Sequence, residues 1–277
     1  MKVGLTSAAA TTVDKQSGNA SPVEIEVMAL SKVFTSSDGN ITALERVDLN
    51  VKRGEFVSLL GPSGCGKSTL LRIIAGIDTP TTGRVRVGMG GPQQTLGFVF
   101  QRDVLVDWRT IIGNVLLPIE FANKRVKEYR ARAQDLLATF GLAGFENRRP
   151  WELSGGMRQR AAMCRALIDD PQLLLMDEPF GALDALTRDD LNVELQDVWQ
   201  RSKKTIVFVT HSISEAVFLA DRVVVMAARP GRIVETLEID FPRPRSLDIR
   251  EEPEFGRYSR HLRHVLDTNS AAKRRLR

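Results

Sequence analysis

Gly61-Pro62-Ser63-Gly64-Cys65-Gly66-Lys67-Ser68, extended by Thr69, reads G-x-x-x-x-G-K-[ST] without a mismatch. The short apolar run Phe56-Val57-Ser58-Leu59-Leu60 precedes it, and the spacing predicts a helix from Lys67 to Ala75 that ends at Gly76. Strand, glycine-rich turn and helix in that order are the setting in which this pattern cradles phosphate. Glycines let successive backbone N–H groups turn toward phosphate oxygens, and the helix N-terminus adds a favourable dipole. Lys67 is placed to reach the β- and γ-phosphates of a nucleotide, and the Ser68 hydroxyl to ligate Mg²⁺. Cys65 sits at a variable position of the loop and is expected to be a thiol open to alkylation rather than a catalytic group.

A second acidic element supports the first. The apolar run Leu173-Leu174-Leu175-Met176 leads into Asp177-Glu178-Pro179. Beside a phosphate loop, Asp177 is expected in the Mg²⁺ shell, and Glu178 is placed to take a proton from an attacking water. No Asn-Lys-x-Asp guanine-reading motif occurs, which argues against GTP as the nucleotide.

Outward from these two motifs, buried runs alternate with helical stretches. Leu96–Phe100, Ile206–Val209, Val223–Met226 and Ile233–Ile239 read as strands, and Thr187–Trp199 and Ile213–Leu219 as helices. This is the pattern of an α/β fold built on a parallel sheet. From about Val104 to Leu167 the spacing is mostly helical, clearest over 129–140 and 156–167, and reads as an insertion. Residues 1–22, rich in Ser, Thr, Ala and Gly, are expected to be disordered. The alternations Glu24–Val27 and Ala43–Val51 open the folded domain, expected over 23–245. Residues 246–277 are expected to form a helical extension, with Phe255, Tyr258, Leu262, Val265 and Leu266 on one face, ending in a basic tail. His261 and His264 are expected at its surface.

Composition bounds the partners. The 277 residues carry a net charge of +5 and are 43% apolar, an ordinary globular balance. Residues 246–277 supply +3 of that charge, so the body is nearly neutral and lacks the basic stripe of a nucleic-acid binder. No apolar stretch is long enough to cross a membrane, and no signal-peptide core opens the chain. Two widely spaced cysteines fit a reducing compartment.

Leu153-Ser154-Gly155-Gly156-Met157-Arg158-Gln159-Arg160 takes the reading past phosphate loops in general. It resembles the signature of ATP-binding cassette (ABC) ATPases. The remaining family motifs follow in register over about residues 23–240. Phe34 resembles the aromatic that stacks on adenine, Gln101 the Q-loop glutamine, Gly181-Ala182-Leu183-Asp184 the D-loop and Thr210-His211 the switch histidine. Taken singly, Phe34 also fits a core aromatic, Gln101 a surface amide and His211 a satisfied core histidine. Phe34's place before an extended loop is the argument for stacking.

The resemblance implies a phosphate-loop NTPase with a RecA-like core, an antiparallel β-subdomain and an inserted helical subdomain. It implies ATP and Mg²⁺ as cofactors and a second copy of the chain as partner. Each ATP would lie between one chain's phosphate loop and the other's signature. One chain would supply Lys67, Ser68, Gln101, Asp177, Glu178 and His211, with Ser68, Gln101 and Asp177 toward the metal. The other would supply Ser154, Gly155, Gly156 and Asp184.

Trp108–Val115, Leu153–Arg160 with its Met157, Asp177–Arg188 and Ser214–Gly231 are most similar to the nitrate/sulfonate/taurine importer branch. Asp107 and Ser212 depart from that branch, which commonly has proline and aspartate there. A single cassette of this kind implies a peripheral ATPase on the cytoplasmic face of the cell membrane. It would dock a transmembrane permease through the Trp108 region, with a periplasmic binding protein acting indirectly. The alternative reading is a soluble ABC ATPase uncoupled from transport. No nucleic-acid partner is expected.

Overall fold

The central strands explain why whole apolar runs read as buried. In the computed structural model, which describes residues 22–37, 39–88, 95–181 and 183–271, Phe56–Leu60, Leu173–Asp177 and Thr205–Thr210 are buried at every position. Their side chains alternate between two cores. Phe56, Leu60, Leu174, Met176, Ile206 and Phe208 face one side, and Val57, Leu59, Leu173, Leu175, Val207 and Val209 the other. A sheet covered on both faces removes the polar-apolar alternation that a half-exposed strand shows.

The chain begins with a hairpin, β1 (Val23–Ser36) and β2 (Gly39–Lys52), then β3 (Phe56–Leu60), α1 (Lys67–Ile74), β4 (Thr82–Val87) and β5 (Leu96–Val99). The helices α2 (Ile111–Val115), α3 (Leu117–Phe121), α4 (Val126–Thr139) and α5 (Gly155–Leu167) come next. There follow β6 (Leu173–Asp177), α6 (Ala185–Ser202), β7 (Thr205–Thr210), α7 (Ile213–Leu219), β8 (Arg222–Ala227), β9 (Arg232–Glu238) and α8 (Pro253–Ala271). Strands β2-β1-β4 form an antiparallel sheet of three, and β5-β6-β7-β3-β8-β9 a sheet of six, parallel except for β9.

Register places the chemistry. Leu60 pairs with Thr210 and Asp177 with Val209. The carboxyl ends of β3, β6 and β7 therefore share one edge of the sheet, where ligands bind in open α/β sheets.

Helices α2–α5 pack Ile111, Val115, Ile119, Leu137, Phe140, Ala161 and Cys164 into the core that also receives Phe255, Leu262 and Val265 of α8. The face expected on the last helix is thus buried in the domain core. Tyr258 and Leu266 pack against it, and His261 and His264 are exposed. Most of the stretch expected to be disordered, residues 1–21, and the last basic residues, 272–277, lie outside the described residues.

Two expectations are corrected. Phe34 does not precede an extended loop: β1 runs on to Ser36, which pairs directly with Gly39 of β2. Cys65 is not an open thiol. It is fully buried, and burial pushes its pKa up, although the Lys67 charge pulls the other way.

Candidate active site

The phosphate loop is shaped by close approach. Gly66 has φ 91°, and a Cβ there would lie 2.5 Å from Leu44 Cδ2 and 2.9 Å from the Ala43 carbonyl oxygen. Gly61 packs so that a Cβ would meet the Met226 carbonyl oxygen at 2.5 Å. Neither position admits a larger residue without moving the loop. The loop opens into a cavity of about 780 Å³ lined by Ser63, Gly64, Gly66, Lys67, Ser68, Thr69, Gln101 and Glu178, and also by Ile41, Thr42, Ala43, Arg229 and Pro230.

Lys67, Ser68, Gln101, Asp177, Glu178 and His211 come together at this edge. Lys67 Nζ donates to the carbonyl oxygens of Gly61 at 2.8 Å and Pro62 at 3.1 Å and lies 3.5 Å from Glu178 Oε1. Gln101 Nε2 donates to Glu178 Oε2 at 3.3 Å, and His211 Nδ1 lies 3.2 Å from the same oxygen. The His211 side chain is 51% exposed, which removes the core-histidine alternative. Glu178 holds φ 45°, the left-handed region that side chains seldom adopt, and its N–H donates to Val209 O at 3.0 Å. The turn after β6 thus aims Glu178 at the group.

Ser68 Oγ donates to Asp177 Oδ1 at 2.7 Å. Asp177 is buried, and burial raises its carboxyl pKa against the pull of that hydrogen bond. A buried carboxylate beside a hydroxyl offers the oxygen donors that a hard divalent cation takes. Among the described residues no group of three or more His, Cys, Asp or Glu side chains could hold a metal alone. Two protein oxygens next to a phosphate cradle fit Mg²⁺, which keeps phosphate and water ligands.

The signature and D-loop residues stand elsewhere. Ser154 caps α5, its Oγ accepting from Met157 N at 3.3 Å. Asp184 caps α6, its Oδ1 accepting from Thr187 N at 3.0 Å, and that N–H holds the carboxyl pKa below its ordinary value. With Gly155, Gly156, Met157, Arg160, Leu183 and Thr187 they line a separate cavity of about 410 Å³ that shares no residue with the phosphate-loop cavity. Gly156 keeps this surface open, because a Cβ would press on Thr187 Cγ2 at 3.1 Å. Ala182 of the D-loop lies outside the described residues.

Phe34 is exposed and paired in register with Ile41, which lines the phosphate-loop cavity, but Phe34 does not line it. Ser212, where the importer branch commonly has aspartate, caps α7 by accepting from Glu215 N at 3.3 Å. Serine and aspartate are comparable caps, so the local structure survives the change.

Sequence reading missed three groups. Arg229 and Pro230 reach the cavity on the turn that joins β8 to β9; Pro-Gly at 230–231 signals a turn but not its location. The buried Glu215 accepts from the Thr210 hydroxyl beside His211, and Arg188 Nε stands 3.5 Å from it. Asn114 is buried among polar backbone, bonding both N–H and C=O of Val106 and the Thr110 carbonyl, and so fixes the turn that carries Trp108.

A family model described as ABC transporter matches residues 44–181. The chain is 48% identical to a taurine import ATP-binding protein of Burkholderia pseudomallei, over 77% of this chain and 84% of that protein. It is 42% identical to a nitrate import ATP-binding protein of Synechocystis sp. (88% and 95%) and to an aliphatic sulfonates import ATP-binding protein of Bacillus cereus (80% and 88%). Among solved structures, a dimeric ABC transporter cassette matches with a TM-score of 0.70 at 35% identity, covering 79% of this chain and all of that one. The phosphate loop, the signature on the start of α5 and this likeness along most of the chain lead to one conclusion: the protein belongs to the ABC transporter family and is one of its ATP-hydrolysing cassettes.

Proposed function

We propose that this cassette powers a bacterial importer for nitrate, a sulfonate, taurine or a similar small solute, working as a homodimer on the cytoplasmic face of the cell membrane. The observation that carries the mechanism is the split of one chemistry over two cavities. The phosphate loop and Glu178 share one cavity, with His211 3.2 Å from the Glu178 carboxylate, and the signature and D-loop caps share another. A second copy, docked head to tail, brings the two halves together.

The residues of one chain then have distinct tasks. The loop 61–69 holds the phosphates through its N–H groups, and Lys67 leaves its carbonyl partners for the β- and γ-phosphates. Phe34, exposed on the β1–β2 hairpin beside Ile41 of the cavity wall, is assigned to adenine by the family resemblance alone. Ser68 and Asp177 would hold Mg²⁺, with Gln101 as a further oxygen donor, and the bound metal would neutralise phosphate charge. Glu178 takes a proton from the attacking water at its carboxylate, and Gln101 and His211 orient that carboxylate. His211 turns toward the γ-phosphate, where negative charge needs a donor. Ser154 and the N–H groups of Gly155 and Gly156 of the second copy close on the same phosphate at the start of α5, with Asp184 beside them.

Coupling runs through the helical insertion of residues 104–167 within the cassette of 23–245. Trp108, Phe121 and Trp151 are 77, 77 and 66% exposed. Arg149 bonds the Trp108 carbonyl and Arg109 pairs with Glu120 at 2.7 Å, so the three aromatics occupy one part of the insertion. Large exposed aromatics mark an interaction surface, here the one for a transmembrane permease that receives solute from a periplasmic binding protein. No described helix is long and apolar enough to cross a membrane. Affinity purification of the chain from detergent-solubilised membranes is expected to bring a multispanning permease. Recovery with nucleic acid alone would overturn the transport reading.

A further inference from the structure

The segment between β9 and α8 carries Arg243, Arg245 and Arg250, none of which lines either cavity of the site. Arg245 is only 3% exposed. Its Nη1 donates to the carbonyl oxygens of Val217 and Phe218 at 3.0 Å and of Ala220 at 2.9 Å. These are carbonyls at the end of α7, where a helix leaves acceptors without partners and where a cation is favoured. Burial brings the Arg245 pKa down to about 10, so the side chain keeps its charge at neutral pH. The backbone of Arg245 exchanges two hydrogen bonds with the Gln196 side chain of α6, at 3.0 and 2.8 Å.

The other two arginines repeat this bridging. Arg250 pairs with both carboxylate oxygens of Asp189 on α6, at 2.8 and 2.7 Å, and lies 5.4 Å from the ring centroid of Phe218 on α7. Arg243 lies 4.2 Å from the ring centroid of Trp199 on α6 and bonds the Leu219 carbonyl at the end of α7 and the Asp221 carboxylate. Asp189, Gln196 and Trp199 recur at helical spacing on one face of α6. Three rungs therefore join that face to α7.

The two joined helices begin at the site. Asp184 caps α6, and α7 starts two residues after His211. Their near ends are tied as well. Arg188 Nη2 donates to the Leu183 carbonyl at 2.8 Å while Nε faces Glu215, and Glu215 accepts from the Thr210 hydroxyl. The gap between the D-loop and the switch histidine is thus set by cross-links at both ends of the helix pair.

We propose that Arg243, Arg245 and Arg250 are positioning residues for ATP hydrolysis, a clamp that fixes α6 against α7 and so sets where His211 stands relative to Glu178. This rests on the reading of His211 and Glu178 given above. A displacement of about 1 Å at a reacting centre can cost up to ~100-fold in rate.

The test is Arg250→Gln in the full chain, which breaks the Asp189 pair at a partly exposed position. Turnover is expected to fall about ten-fold with the KM for ATP little changed. The swap of Arg250→Asp with Asp189→Arg is expected to recover most of the loss. In a His211→Ala background, single-turnover measurement should show no further loss from Arg250→Gln, because both act through one group. Undiminished turnover of folded Arg250→Gln, or a full independent loss on top of His211→Ala, overturns the clamp. Should Arg250→Gln fail to fold, Asp189→Asn breaks the same pair and the same outcomes decide. Full turnover of His211→Ala itself would overturn the site reading instead, which separates the two failures.

Discussion

In the proposed mechanism Glu178 is the residue on which the chemistry turns. Its carboxylate is met by Lys67, Gln101 and His211, and the backbone at φ 45° aims it there. Glu178→Gln keeps the shape and removes the base, so steady-state hydrolysis is expected to fall by at least about 100-fold while ATP still binds; a phosphate-release assay with a nucleotide-binding assay checks both. Ser154 sits in the other cavity. Ser154→Arg is therefore expected to abolish hydrolysis and leave ATP affinity of the single chain intact, read by fluorescent-nucleotide titration. Cys65 behaves by burial and not by its place in a reactive-looking loop. Native protein at neutral pH should resist iodoacetamide at Cys65 and take it up after denaturation, as mass spectrometry would show.

At the scale of elements, the strand-loop-helix of 56–74 was legible because each residue type has a local reason to be there: an apolar run, glycines at forced turns, a helix behind. Asp177-Glu178 was legible for the same reason, as polar residues ending an apolar strand. The hairpin that carries Phe34 departs from expectation at its turn, since β1 continues through the polar Thr35 and Ser36, which lie past the last apolar residue of the run. The arginine rungs, Arg188–Glu215 and Arg229-Pro230 were not legible, because their partners lie far along the chain and only the fold brings them together. The turn after β8 shows the point. Gly231 N donates to Ala43 O at 3.0 Å, and a Cβ on Gly231 would fall 2.2 Å from the Cys65 carbonyl oxygen. Gly231→Ala is thus expected to push the phosphate loop out of place and weaken ATP binding at least several-fold, although Gly231 itself lines no part of the cavity. Calorimetric titration with ATP reads the effect, and unchanged affinity would show that the turn does not buttress the loop.

For the whole molecule, the parallel sheet gathers the base, the switch histidine and the phosphate loop at one edge, and the insertion holds the signature at another place. In the proposed dimer a single chain is half of each of two sites, and nucleotide binding and association are one event. ATP is expected to close two copies on each other through the signature. Light scattering on Glu178→Gln measures it most directly. The mass should stay at 30.8 kDa without nucleotide and double with saturating ATP, and adding Ser154→Arg should return it to the single-chain value. A single-chain mass at saturating ATP, or doubling that survives Ser154→Arg, would contradict closure through the signature.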